Sequence, residues 1–337
     1  MKNLLANKAV RWVLIAAVVV IFALVPLVAP PYINYQLSMV AVIGVALLGL
    51  NIVMGYTGQV SLGQSAFLGL GAYVTTYGLS QGWNWVLIFV LCAVIPGVVG
   101  MLVALVAARL RGLALAMITI ALPIIGVPLA KRFSEFTGGS VGSTVSWLKS
   151  PIAGLENDQW RYYIVVLIAV GMFILGRNLT RGKIGRAFAI VKANEAVAIS
   201  MGVSPFRYKV IAFTIASLFG GIAGFLFVGV VQFTSPETLS FGTSINLVVA
   251  MVIGGAGSIP GTILGALYYV GLPMFAGSVS SSQTALISGA VLLIVLFLLP
   301  HGLVSLPRRI SQIIARRRQN TSVTETLNSP SEPAKIS

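Results

Sequence analysis

The strongest constraint on this chain is a succession of apolar runs, most of them close to the roughly 20 residues that a helix needs to cross a bilayer. Candidate spans fall at 12–29, 37–54, 61–80, 85–107, 112–130, 162–176, 210–231, 244–258, 261–276 and 284–300, of which 162–176 and 244–258 are short. A soluble reading fails on surface arithmetic. Even large soluble domains leave about a quarter of their surface exposed, and this chain is 57% hydrophobic and 9% charged. The expected fold class is therefore an all-α polytopic membrane protein with about ten transmembrane helices.

The net charge of +15 is high enough to suggest nucleic acid, but its distribution points to topology instead. With the N-terminus in the cytoplasm and ten alternating spans, eighteen Lys and Arg residues fall inside and four outside, namely Lys131, Arg132, Lys149 and Arg161. That is the positive-inside bias, and it predicts a multi-pass protein of the bacterial plasma (inner) membrane with both termini cytoplasmic and no nucleic-acid partner. Lys2, Lys8 and Arg11 precede the first run as in a signal peptide. The run is about twice the length of a typical apolar signal core, and "VAPPY" offers no small-residue cleavage site, so it reads as an uncleaved helix.

The expected organisation is a transmembrane domain over 1–307 and a tail over 308–337. The domain carries an outer loop at 131–161 and a basic inner segment at 177–209. The tail opens as "RRISQIIARRRQ", suited either to anionic lipid head groups or to plain solvation, and ends in a composition typical of disorder. Within the domain, "GYTGQVS" at 55–61 and "GGAGSIP" at 254–260 share a G-x-x-G-x-[VI]-[SP] pattern. Each follows an apolar run and precedes a helix rich in small residues. In the ten-span topology both copies have the same orientation, which predicts a parallel internal repeat. Gly55, Gly58, Gln59, Ser61, Gln64, Gly254, Gly255, Gly257 and Ser258 are accordingly candidates to line a translocation path, with tight helix packing as the alternative reading of the same residues. Pro and Gly also interrupt "IALPIIGVP" at 120–128. Such breaks are tolerated where the freed backbone groups face protein or a wet cavity.

Several chemistries lack raw material. No acidic, basic or histidine residue lies well inside a predicted span, which argues against proton relay and leaves sodium coupling through carbonyls and hydroxyls open. No G-x-x-x-x-G-K-[ST] phosphate cradle occurs. One cysteine (Cys92), one histidine (His301) and one aspartate (Asp158) are too few for a disulfide framework, a zinc site or an aspartate-rich diphosphate site. Cys92 reads as core or lipid-facing filler, and Glu237 as a solvated or capping carboxylate. No catalytic, metal or cofactor site is expected. A conduit without fuel chemistry must borrow energy from a partner, and the longest inner connection is the surface to receive one. Read as a helix from about Arg186, it groups Phe188, Val191, Ala198 and Ile199 on one side, with Lys192 and Glu195 beside them, and Gly202 and Pro205 end it. A helix lying on the membrane surface fits the same pattern.

At this point the residues resemble a known family. "ANEAVAISMG" (193–202) followed by "RYKVIAFTIAS" resembles the coupling loop of permease subunits in ATP-binding-cassette importers, and more narrowly the LivM-type permeases of branched-chain amino acid importers. Gly185, Arg186, Ala187, Glu195, Ala196, Gly202, Tyr208, Lys209, Ala212 and Phe213 occupy the positions of that signature. "GYTGQVSLGQSAFLGLGAY", "GGAGSIPGTILGA", the outer "FTGGSVG" and "FLLPHGL" resemble further family elements, so the likeness covers roughly residues 35–305. His301 stands where the family more often has Arg or Gln.

The resemblance implies a heteromeric importer. It would comprise this chain, a second related permease, two cytoplasmic ATPases that hold ATP and magnesium, and an extracytoplasmic substrate-binding protein. It implies that Arg186 to Gly202 forms a coupling helix seated on one ATPase, drawing on Gly185, Arg186, Ala187, Phe188, Val191, Lys192, Glu195, Ala196, Ile199 and Gly202. The substrate it implies is a branched-chain or other hydrophobic amino acid, with urea or short amides as the alternative. A sodium-coupled transporter or passive channel is the competing class, and it leaves 177–209 without a purpose. An intramembrane enzyme finds no acids, histidines or cysteines to work with.

Overall fold

The computed structural model describes residues 24–110, 113–147, 150–151, 154–279 and 302–305, with a few isolated positions between 289 and 297. Most of the expected last span at 284–300 and of the first at 12–29, together with His301 and the 308–337 tail, lies outside the described residues. The main helices are α1 (Pro31–Asn51, continued by a π-helical turn at Ile52–Tyr56), α2 (Gln64–Ser80), α3 (Trp85–Ala107), α4 (Leu113–Arg132), α5 (Asn157–Arg181), α6 (Lys183–Ala193), α7 (Glu195–Ser200), α8 (Pro205–Val231), α9 (Phe241–Gly254) and α10 (Ile259–Val279). Six of these are long and apolar enough to cross a membrane: α1 with its π turn, α3, α4, α5, α8 and α10. The protein is thus an all-α polytopic membrane protein. α2 and α9 are shorter, with 17 and 14 residues.

Local chemistry sets the helix starts. Pro31 and Pro205 open α1 and α8, where a missing N–H costs nothing and the fixed φ suits the first turn. Asn84 caps α3 by accepting from the Val86 N–H, and a reciprocal Glu156–Gln159 capping box starts α5. That box lies upstream of the apolar run, so the span expected as short at 162–176 is a helix of 25 residues. One continuous inner helix from Arg186 is not what forms. The helix begins at Lys183 and breaks at Asn194, whose extended backbone ends α6 while its side chain accepts from the Ala196 and Val197 N–H groups to start α7. Asn competes well for such capping positions and poorly for helix interiors.

The bundle is layered around two helices. In α1 and α8, 72% and 67% of the apolar window is buried, against 22% to 28% in α3, α4, α5 and α10. α8 packs on α1, α2 and α3, and its approach is at backbone distance. A Cβ on Gly71 of α2 would collide with the Gly221 carbonyl of α8, and one on Gly224 with the Leu68 carbonyl of α2. Small residues at i, i+4 spacing (Ser217-Gly221, Gly220-Gly224) provide this fit, the usual device where lipid supplies no hydrophobic drive between helices. Cys92 is core, with Sγ 2.9 Å from the Thr75 hydroxyl.

Described connections gather alternately at two ends of the bundle. At one end the 133–156 connection folds onto the exit of α8. Ser143–Thr144 pairs antiparallel with Phe233–Thr234, and Trp147 inserts among Trp85 and Phe225. In "TGGSVG", Gly138, Gly139 and Gly142 all have positive φ, and Thr137 donates to the Ala130 carbonyl to tie the turn to α4. Glu237 lies exposed in a short 3₁₀ turn at this end.

Gly71→Leu should lower the stability of the detergent-solubilised protein by about 3 kcal/mol through overpacking. Gly171→Leu, where a Cβ meets nothing within 4 Å, should leave it unchanged. Thermal unfolding followed by size-exclusion chromatography compares them, and equal melting temperatures would contradict the packing described.

Candidate functional site

The opposite end holds the glycine loops and the α6–α7 segment. α1 finishes in its π turn, and the Val53 carbonyl released there accepts from both the Thr57 hydroxyl at 2.6 Å and the Gln59 N–H at 3.1 Å. Gly58 then turns the chain with φ +70°, which L side chains disfavour. In the second loop, Gly257 occupies the matching position of the G-x-x-G pattern and has φ +78°.

The two loops touch. Asn51, fully buried near the end of α1, accepts from the Gly257 N–H at 2.7 Å and donates to the Ser258 carbonyl at 3.0 Å. A Cβ on Gly55 would strike both Asn51 Oδ1 and the Gly257 nitrogen. Gly302, from the "PHGL" element, lies against Gly255, and Gly254 packs on Gly261 and Gly265 at the start of α10. Segments more than two hundred residues apart in sequence therefore meet backbone to backbone.

Other path candidates are committed within the subunit. Gln64 is 1% exposed, and its Nε2 donates to the Ala46 carbonyl of α1 and the Ala216 carbonyl of α8, pinning three central helices together. Ser61 is buried, and Gln59 donates to the Thr57 hydroxyl. Of the candidates in the first loop, Gly58 and Gln59 border open space, a polar pocket of about 290 Å³ whose lining also includes Leu110, Lys192, Asn194, Glu195 and Lys209.

The inner segment folds back sharply after α5, because Gly185 lies against the Thr180 carbonyl at a distance that no Cβ would allow. Gly185, Ala187, Phe188, Val191 and Ala198 are buried against the protein's own bundle, with Phe188 edge-on to Tyr208. The expected apolar side Phe188–Val191–Ala198–Ile199 is thus divided. Three of its members face inward, whereas Ile199 is 64% exposed beside Val197 and Met201, and Arg186, Ala196 and Gly202 are also exposed. The break at Asn194 turns α7 relative to α6, which sequence periodicity treats as one helix.

Two lysines tie this segment down. Lys192 Nζ donates to the Gly55 carbonyl at 2.6 Å, a cation at the negative end of the α1 dipole. Lys209, 7% exposed, pairs with Glu195 at 2.6 Å. Sequence reasoning quoted Lys209 without a role and missed Asn51. The signal for Asn51 was present, since it is an isolated amide in an apolar run just before the first glycine loop.

A larger cleft of about 860 Å³ opens between α3 and α4 over α2, lined by residues such as Phe67, Tyr73, Leu102, Ile125 and Leu129. Its described lining is mostly apolar, with no charged side chain and with hydroxyls only at Tyr73, Tyr77 and Thr137.

Residues 32–298 match the family described as "Branched-chain amino acid transport system / permease component". Among curated proteins, the chain is 32% identical over 292 residues to the high-affinity branched-chain amino acid transport system permease protein LivM of Salmonella typhimurium, covering 77% of this chain and 67% of that protein. It is 26% identical over 171 residues to the high-affinity branched-chain amino acid transport system permease protein LivH of the same organism, covering 50% of this chain and 52% of LivH. Among solved structures it is similar to PsaBC from Streptococcus pneumoniae, with a TM-score of 0.45 and 15% identity over 84% of this chain and 97% of that one.

Glu195→Gln should destabilise the protein by about 1–3 kcal/mol, because it strips the charge partner from a buried ammonium. Glu195→Gln combined with Lys209→Met should recover most of that loss in a double-mutant cycle of melting temperatures. Additive losses would mean the pair is not coupled.

Proposed function

The chain belongs to the family of branched-chain amino acid transport permease components, and from that membership we propose how it is driven and by which surfaces. It is a transmembrane permease subunit of an ATP-binding-cassette importer for branched-chain amino acids, not an enzyme. Hydrolysis of ATP with magnesium is assigned to two separate cytoplasmic ATPases. A second related permease completes the membrane unit, and an extracytoplasmic binding protein delivers substrate. The likeness to both LivM and LivH, two permease proteins of one system, supports the pairing. The binding protein would supply most of the selectivity, so the membrane path can grip weakly.

The observation that carries the drive mechanism is the two-faced α6–α7 segment. Its inner face is sealed into the bundle, while Val197, Ile199 and Met201 stand exposed at the tip. An apolar tip on a short, well-anchored helix pair suits insertion into a groove on an ATPase, and the tip residues, rather than Phe188 and Val191, would make that contact. Arg186 and Ala196 would sit at its margin, and Gly202, with φ +77°, would end the helix pair. A sodium-coupled carrier or a passive channel gives this surface no task.

The finer architecture follows the same reading. Ten spans with both termini in the cytoplasm fit the alternation of the described connections, with the basic 177–209 segment on the α6–α7 side. A parallel repeat is supported by the matched positive φ at Gly58 and Gly257 and by the contact between the two loops. The polar pocket bordered by Gly58 and Gln59 lies where such a path would reach the cytoplasm. The domain boundary near residue 307 belongs to the same proposal.

Reconstituted with its partners, Ile199→Asp or Met201→Asp should lower ATP hydrolysis stimulated by the loaded binding protein by about tenfold, the equivalent of about 1.4 kcal/mol of docking. Membrane insertion should be unaffected. Uptake of leucine by the purified chain alone, with no ATPase, would defeat the reading.

A further inference from the structure

The α6–α7 segment and both glycine loops are joined by a short chain of direct polar contacts, from the partly exposed Lys192 to the buried Asn51. Lys192, in the last turn of α6, donates to the Gly55 carbonyl at 2.6 Å. Gly55 lies in the π turn at the end of α1, one turn from Asn51. Asn51 holds the second loop through the Gly257 N–H at 2.7 Å and the Ser258 carbonyl at 3.0 Å. Each link is directional. Asn51 is fully buried, and its amide satisfies one donor and one acceptor of the facing backbone, so a shift of one loop without the other leaves buried polar groups unpaired.

The π turn adds a mechanical feature. A single π segment inside an α-helix is a site where hydrogen bonding can shift register without unfolding the helix, and such segments concentrate at functional positions. Here it lies between the amide that holds the second loop and the carbonyl that holds the coupling segment. The buried residues of α6, Gly185, Ala187, Phe188 and Val191, present no polar side chain for such a directional contact.

We propose that Asn51 and Lys192 are positioning residues for coupling. They make the two glycine loops move as one body with the α6–α7 segment, so that a displacement imposed on α7 reaches both halves of the permease together. This rests on the reading of α6–α7 as the ATPase-docking segment. Without the Asn51 link, the segment pulls on the first loop alone, and ATP is hydrolysed without the paired rearrangement that moves substrate.

The test uses the complete importer in proteoliposomes and reads uptake of radiolabelled leucine per ATP hydrolysed in the presence of its binding protein. Asn51→Ala and Lys192→Met should each lower that ratio about fivefold or more, the lower end of typical coupling strengths, and Lys192→Arg should restore it towards wild type. A merely structural role lowers uptake and hydrolysis in proportion and leaves the ratio unchanged. A ratio within twofold of wild type in Lys192→Met therefore overturns the proposal, even if Asn51→Ala fails to assemble. If the wild-type importer itself shows no ATP-dependent uptake, the functional reading fails instead, and the two failures are distinct.

Discussion

Everything else in this protein depends on how closely α8 approaches its neighbours. In hydrocarbon the helices gain nothing from hiding apolar side chains from one another, so association rests on close packing and on polar groups paired across helices. The Ser217, Gly220, Gly221 and Gly224 surface lets α8 come within backbone reach of α2 and α3. Gln64 then reaches from α2 to carbonyls on both α1 and α8. Remove the small residues and Gln64 loses its acceptor on α8, the Ala216 carbonyl. The rigid centre of the bundle is one packing event fixed by one amide.

That rigidity gives the inner end its meaning. Polar groups are sparse through the described spans but dense where α1 ends, where the glycine loops meet and where α6–α7 folds back. Asn51, Lys192, Glu195 and Lys209 satisfy one another or the backbone there, leaving an apolar tip at Val197, Ile199 and Met201. Under the proposed drive by separate ATPases, force would be applied at that tip and carried inward by the polar contacts behind it. Both occur at the same end of the chain's described structure.

The limits of the linear reading are specific. Spans such as 85–107 were legible because apolar length has one meaning in a bilayer. The continuous helix expected from Arg186 does not form, because periodicity treats Asn194 as another polar-face residue, whereas its side chain captures two N–H groups and breaks the helix. Gln64 stands out in the sequence as an amide in an apolar run, a signal for function and for interhelical bonding alike. Its partners, the Ala46 and Ala216 carbonyls, are visible only in the fold.

The sequence by itself determined that this chain lives in a membrane, which family its motifs resemble, and that two similar glycine motifs recur within its apolar region. Hydrophobic length and local motif are properties of neighbouring residues, and a linear string contains them. Tertiary structure alone decided that the two glycine motifs touch, that Asn51 joins them, and that Phe188 and Val191 face inward while Ile199 faces out. Those facts depend on distances between residues far apart in the chain, set by how closely glycine-lined helices pack.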